Sequence, residues 1–316
     1  RTPARETGEN LEGGPRMTFT KKPVKGMTDF PPADMRLRES VLAEIRRTYA
    51  QFGFAQIETP CMEHIGNLTS KQGGDNEKLI FKVMKRGAEL ARAIEKGEDC
   101  ADNGLRYDLT LPLARYYSNN KETLPSPFKS LQIGNVWRAD NPQKGRFRQF
   151  TQCDIDILGD ETSLAEIELI TATTSMLSKI FAEIDIKEFT VHVNDRRILA
   201  ATALAAGFTE EQIGAVLISL DKFDKIGLDG IRAELIENGY DSACVDKYLA
   251  VYGKLEGGIT LESFCEDIPE EFLAAEVVDN MKEILGVVTP MLGEGVKIVF
   301  DPTLVRGMGY YTGPIF

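Results

Sequence analysis

The stretch Gly134-Asn-Val-Trp-Arg-Ala-Asp-Asn-Pro-Gln-Lys-Gly-Arg-Phe-Arg-Gln-Phe-Thr-Gln-Cys-Asp-Ile-Asp156 decides how the chain folds. It reads as a strand, a basic loop and a second strand. Gln132, Ile133, Val136 and Trp137 suit the first strand. Asn141-Pro142-Gln143-Lys144-Gly145 then turns the chain, because Asn-Pro and Gly are turn formers. From Phe147 the alternation resumes, with Phe150, Gln152, Asp154 and Asp156 on one parity. That parity is polar where a sheet face is ordinarily apolar, and Arg138, Arg146 and Arg148 flank the turn. Arginines beside carboxylates make a poor core and a suitable floor for a zwitterionic or phosphorylated ligand. A planar guanidinium makes two charge-assisted bonds to a phosphate at once. From this stretch alone, a solvated antiparallel face with surface ion pairs accounts for the same residues equally well.

Composition narrows the field. The chain has 316 residues, enough for one large core and a second module, with 42% hydrophobic and 27% charged residues. No apolar run approaches the roughly 20 residues of a membrane helix, and the polar start shows no cleavable signal. Five cysteines, an odd number without CxxC or finger spacing, argue against a disulfide framework and make a reducing cytoplasm the simplest home. The net charge of −12 repels nucleic acid as a whole, so any RNA contact requires a local basic patch. With two histidines, His64 and His192, chemistry built on histidine bases or clustered histidine ligands is disfavoured.

Along the chain, residues 1–16 lack apolar periodicity and read as a flexible leader. Met35, Leu37, Val41, Leu42, Ile45, Tyr49 and Phe52 recur at helical spacing until Gly53, and Phe54–Pro60 follows as a short strand. Leu79–Met84 is strand-like and Ala88–Lys96 helix-like. In Gly104-Leu-Arg-Tyr-Asp-Leu-Thr110, Asp108 and Thr110 share one parity of an expected strand end, a carboxylate and a hydroxyl able to clamp an ammonium group. Helix capping explains Thr110 as well as ligand binding does, but leaves Asp108 unexplained. Glu161–Phe181 reads as an amphipathic helix and Phe189–Val193 as a buried strand. Residues 195–293 then change to helical segments separated by Gly-centred turns, an inserted module of roughly domain size. Val296–Asp301 reads as a strand returning to the sheet, and leads into Leu304-Val-Arg-Gly-Met-Gly-Tyr-Tyr-Thr-Gly-Pro-Ile-Phe316. There Arg306 stands between glycines and the Tyr310-Tyr311 pair, a pattern that aromatic packing alone does not require.

Four stretches in order carry a resemblance. The helix and strand ending at Pro60 resemble motif 1 of class II aminoacyl-tRNA synthetases, their dimer element. Leu105-Arg-Tyr-Asp-Leu-Thr110 resembles the histidine-binding strand of the histidyl-tRNA synthetases, Trp137-Arg-Ala-Asp through Phe150 resembles motif 2, and Leu304–Gly313 resembles the histidine-specific signature. The chain from about Lys25 to Phe316 is thus similar to that family. The resemblance implies an α+β fold, an antiparallel sheet flanked by helices. Residues 17–194 form its catalytic core, 195–293 a helical insertion and 294–316 a return strand.

The family's reaction joins histidine and ATP into histidyl-adenylate, then moves the histidyl group to tRNA(His). The substrate carboxylate is the nucleophile, so the enzyme needs only to hold two anions together and offset charge at phosphorus. Carried over, Arg138 and Arg306 are the catalytic cations on opposite sides of one adenylate. Arg138, Asp140, Arg146 and Phe150 meet ATP, with Phe150 stacking on adenine. Asp108, Thr110 and Gln152 hold the histidine amino group, Asp156 and Tyr311, with Tyr310 beside it, read its imidazole, and Leu109, Arg138 and Arg306 also belong to the histidine site. Mg²⁺ is implied with the ATP phosphates, a homodimer from motif 1, a tRNA contact from Lys144-Gly145-Arg146, and no membrane. Gly309 stands where the family more often has Asp. The family's motif 3 and anticodon-binding domain are expected beyond Phe316. A non-catalytic relative, such as the regulatory subunit of ATP phosphoribosyltransferase or a tRNA-sensing pseudo-synthetase, is the alternative, but has little use for both arginines and the full carboxylate set.

Overall fold

The computed structural model describes residues 20–69, 76–253, 259–306 and 311–316. Pro32 opens helix α1 (Pro32–Gln51), where its missing N–H costs nothing, and Gly53, at φ +82°, turns the chain out of it. Short strand β1 (Ala55–Ile57) follows, then β2 (Met62–His64) and a single turn α2 (Ile65–Leu68). Next come β3 (Lys82–Met84), α3 (Gly87–Lys96), β4 (Ala101–Leu105) and α4 (Thr110–Asn120). The central hairpin is β5 (Phe128–Trp137) and β6 (Gln149–Leu158), backed by α5 (Leu164–Ala182).

Three small sheets result: β1-β5-β6, β2-β4-β3, and a third that includes β7 (Phe189–Asp195), β8 (Val296–Phe300) and β9 (Pro314–Ile315), in the order β8-β7-β9. The β5–β6 ladder is antiparallel over its full length, whereas β1 joins β5 and β8 joins β7 in parallel. Between β7 and β8 the described residues form only helices: α6 (Arg196–Ala206), α7 (Glu210–Leu220), α8 (Phe223–Glu237), α9 (Ser242–Tyr252), α10 (Leu261–Cys265) and α11 (Ala275–Val288), then a 3₁₀ turn. This is the α+β class that the resemblance implies. Among the described residues no single helix is long and apolar enough to cross a membrane. Together α6 and α7 pass by composition, but they meet at 112° and contribute to the module's buried core.

Two local expectations need correcting. The strand before Asp108 stops at Leu105, and Thr110 is the first residue of α4, so Asp108 and Thr110 do not share a strand parity. The cause is the helix start itself: Asp108 Oδ1 accepts the Leu111 N–H at 3.3 Å, and Pro112 is placed in the first turn, where no N–H is needed. The capping role thus falls to Asp108, the residue that capping had seemed to leave out. Of the stretch 304–316, only Pro314–Ile315 is strand among the described residues.

The hairpin has two unlike faces. Leu131, Cys153, Ile155 and Ile157 pack on Leu42, Ile45 and Tyr49 of α1 and on Ala172 and Met176 of α5. The other face pairs Ser130 with Asp156, Gln132 with Asp154, and Gly134 with Gln152. One face therefore anchors the hairpin and leaves the second free for chemistry. Leu131 is 1% exposed at the centre of the apolar side. Leu131→Ala is expected to cost about 2–5 kcal/mol in urea unfolding; a loss below about 1 kcal/mol would mean this face is not the anchor.

Candidate active site

Three carboxylates and one guanidinium gather on the polar face of β5 and β6. Asp154 and Asp156 come from alternate positions of β6, and Asp108 comes from the turn before α4, buried at 1% exposure. Arg138 follows β5, where its Nε donates to the Tyr107 carbonyl at 3.0 Å and its guanidinium rests on the Phe150 ring, 5.1 Å from the centroid. Burial raises the Asp156 carboxyl to about 7, and the like charges of Asp154 and Asp108 add to the effect. Burial and then Asp108 raise Asp154 to about 6, against the opposing pull of Arg138. Tyr107 is pushed up to about 12, again by burial first and Asp108 second.

The face also carries unmet hydrogen-bonding capacity. Buried Gln152 Oε1, Asp156 Oδ2 and Ser130 Oγ have no hydrogen-bond partner among the described residues. Each such atom ordinarily costs about 1–3 kcal/mol. Gln152 Oε1 accepts only, and Asp156 Oδ2 accepts whenever its carboxyl is ionised, so the face suits N–H donors. Gln132, by contrast, is satisfied: its Nε2 donates to the Leu109 carbonyl at 3.1 Å, and its Oε1 accepts from Thr59 Oγ1 at 3.2 Å. Asp108, Leu109, Gln152 and Asp156 are thus placed around one face, with Thr110 at the start of the adjacent helix.

The loop after β5 arranges the nucleotide candidates. Arg148 Nε donates to the Asp140 carbonyl at 2.9 Å, and Arg146 Nη1 stands 3.9 Å from Asp140 Oδ1. Gln143 and Arg146 exchange backbone bonds at 3.2 and 2.9 Å around Gly145, whose φ of +79° an L-residue seldom adopts. Lys144, Gly145 and Arg146 are exposed.

Arg306 lies elsewhere. Its guanidinium donates to the Phe316 carbonyl, its own carbonyl accepts from Arg196 Nη1 at 3.0 Å, and it lines a cleft of about 430 Å³ with His192, Asp301 and Thr174. None of these contacts is shared with Arg138, whose own partners are Tyr107 and Phe150. Nearby, β9 pairs with Asn194 and Asp195, and Arg196 N–H donates to the Gly313 carbonyl, which fastens this segment to β7. Tyr311 is 37% exposed, while Gly309 and Tyr310 fall outside the described residues. A cleft of about 910 Å³ between α5 and α11, lined by Glu161, Glu166, Glu276 and Glu283, contains none of the candidate residues. Chemistry rather than volume therefore identifies the site.

The sequence reading put Asp154 on the polar parity without giving it a role, and passed over Ser130, Gly134 and Arg106. For the first three a signal was present: each falls on the parity of the polar face in its own strand. Arg106 had none, because its side-chain partners come from segments distant along the chain.

Known proteins resemble this chain in sequence and in fold. A family model described as histidyl-tRNA synthetase matches residues 26–316. The chain is 45% identical over 311 residues to a histidine–tRNA ligase of Leifsonia xyli subsp. xyli, covering 93% of this chain and 69% of that protein. It is 40% identical to a probable histidine–tRNA ligase of Tropheryma whipplei, covering 93% and 70%. Among solved structures, a histidyl-tRNA synthetase from Nostoc superposes with a TM-score of 0.72 at 25% identity, over 94% of this chain and 64% of that one. A Bacillus halodurans protein described as an ATP phosphoribosyltransferase regulatory subunit/histidyl-tRNA synthetase superposes at 0.73 with 20% identity, covering 94% and 72%, and so shares the fold.

The raised carboxyls make stability depend on pH. Asp156 moves from 3.8 to about 7 on folding, so the folded state holds that proton more tightly than the unfolded chain does. This contribution is fully present below about pH 4 and is lost as pH rises towards 7. Asp156→Asn is therefore expected to stabilise the free protein at pH 8 by on the order of 2 kcal/mol, and far less at pH 4.5, in paired urea titrations. Equal effects at both pH values would contradict the assignment.

Proposed function

The chain belongs to the histidyl-tRNA synthetase family of aminoacyl-tRNA ligases, and from that premise we propose that it activates histidine with ATP and transfers it to tRNA(His). The observation that carries the reading is the polar face itself: buried acceptors of Gln152 and Asp156, with raised carboxyls beside them, suit a ligand that brings N–H donors and positive charge.

Histidine brings both. Its ammonium group answers Asp108, Thr110 and Gln152, and its imidazole N–H answers Asp156, with Asp154 and Ser130 adjoining. Tyr310 and Tyr311 are assigned to the imidazole by family resemblance. A histidine carboxylate oxygen then attacks the α-phosphorus of ATP; a carboxylate–phosphorus bond forms, the α–β bond breaks, and pyrophosphate carries away the electron pair. No proton leaves the nucleophile, so the protein supplies no base. Its work is positioning and charge stabilisation. Arg138 lies next to the carboxylates and is the cation best placed to hold the reacting anions. It already stacks on Phe150, so adenine must share or displace that contact. Asp140 and Arg146 set the loop that meets the nucleotide.

Mg²⁺ enters with ATP on its phosphates. Among the described residues no group of three or more His, Cys, Asp or Glu is disposed to hold an ion. Family resemblance assigns Arg306 the second cationic contact. In this structure its guanidinium donates to the Phe316 carbonyl. Exposed Lys144 and Arg146 suit the tRNA acceptor end in an otherwise acidic protein. Exposed Phe30, Leu37 and Met62 on or beside α1 and β2 suit a homodimer, and the cytoplasm is the proposed compartment.

Histidine, alone among the standard amino acids, is expected to drive exchange of pyrophosphate into ATP by the intact protein. Arg138→Ala should lower kcat by about 10²–10³-fold. Asp156→Ala should raise the KM for histidine at least about tenfold and leave that for ATP within about twofold. Exchange driven equally well by another amino acid, or equal weakening of both substrates, would sink the reading. Arg306→Ala should abolish most exchange while histidine still binds; a fully active variant would remove Arg306 from the reaction.

A further inference from the structure

Arg106 carries a guanidinium into the interior, 3% exposed, and no described partner of that side chain is a carboxylate. Its Nη1 donates to the Thr59 carbonyl at 2.6 Å, to Thr59 Oγ1 at 3.1 Å and to the Pro60 carbonyl at 3.4 Å. Its Nε donates to the Asn135 carbonyl at 2.9 Å. The backbone is fastened as well: Arg106 N–H donates to the Cys61 carbonyl at 3.0 Å, and its carbonyl accepts from Trp137 N–H at 2.9 Å. A buried cation without an acid is costly, so a neutral side chain of similar bulk would serve better if packing were its only task.

Its placement points to that task. A Cβ on Gly134 would stand 2.2 Å from Arg106 Nη2 and 3.2 Å from Cζ. The guanidinium thus fills the space that a side chain at 134 would take, on the polar face directly across from Gln152. The next residue, Tyr107, offers the carbonyl that holds Arg138, and Asp108 follows. Arg106 is the joint between the Thr59–Pro60 turn, strand β5 and the segment that aims both the catalytic cation and a binding carboxylate.

We infer that Arg106 is a positioning residue for histidine activation, fixing residues 106–110 so that Arg138 and Asp108 face one substrate. This rests on the proposed function. The test compares wild type, Arg106→Ala, Arg106→Lys, Gly134→Ala and the Arg106→Ala/Gly134→Ala pair in histidine-dependent pyrophosphate exchange, well below each melting temperature. Leu217→Ala, in the core of the helical module, serves as a control for stability alone.

Arg106→Ala is expected to lower kcat/KM for histidine about 100-fold, through both constants, as misplacement by about an ångström does. Arg106→Lys keeps the charge, loses the fork and should fall about tenfold; it carries the test if the alanine variant does not fold. Gly134→Ala alters no charge and should cost about tenfold in wild type, but less than about twofold where Arg106 is already alanine, since the obstructing atoms are gone. Leu217→Ala should melt lower with both constants within about twofold. Unchanged constants in Arg106→Ala, or an equal Gly134→Ala effect in both backgrounds, overturns the inference while leaving the function standing. A wild-type protein without histidine-dependent exchange overturns the function, and this inference with it.

Discussion

Carboxylates that share a dry sheet face repel one another, and that repulsion is the constraint the rest of this molecule accommodates. Asp154 and Asp156 stand two residues apart on β6 with Asp108 opposite, and Arg138 is the cation that acts on Asp154 and Tyr107 beside them. One guanidinium does not offset three acids in a low-dielectric pocket, so protonation does part of the work near neutral pH. A ligand with an ammonium group and ring N–H donors would do it better. Under the proposed function, the face is thus held in a state that favours histidine over water.

Such a face survives only because the opposite face is secure. Leu131, Ile155 and their neighbours bury the hairpin's apolar side under α1 and α5, and the long antiparallel ladder sets the register. A slip by one residue would turn Asp154 and Asp156 into the core and Ile155 out of it. Gly134 then leaves room for Arg106, which ties three segments together from below. The acidic surface elsewhere does not enter this balance: a net charge of −12 is spread over a large molecule and screened within about 10 Å.

Much of this was legible in the sequence where local rules act alone. Helices α7 and α9 fall in the stretch read as helical, and local signals start them: Thr209 with Gln212 forms a capping box and Asp241 caps the later helix. The period-two polarity of β6 was legible in Gln152, Asp154 and Asp156, which the ladder sets opposite Gly134, Gln132 and Ser130. What stayed hidden depends on distance along the chain. Parity made Asp108 and Thr110 look like one strand edge, but Pro112 and the Asp108 cap start a helix between them. The position of Arg306 follows from a short pairing of β9 with β7, which two strand residues do not advertise. Arg106 gave no signal, because its four acceptors come from segments distant along the chain.

The most direct test watches the Asp156 carboxyl itself. Carbon-13 NMR of labelled aspartate side chains, assigned with Asp156→Asn, follows its titration with and without saturating histidine. In the free protein the midpoint should lie at about 7, as burial and its acidic neighbours dictate. With histidine bound, the N–H donors should carry it below about 5. A midpoint near the ordinary carboxylate value in the free protein, or one that histidine leaves in place, would contradict the account.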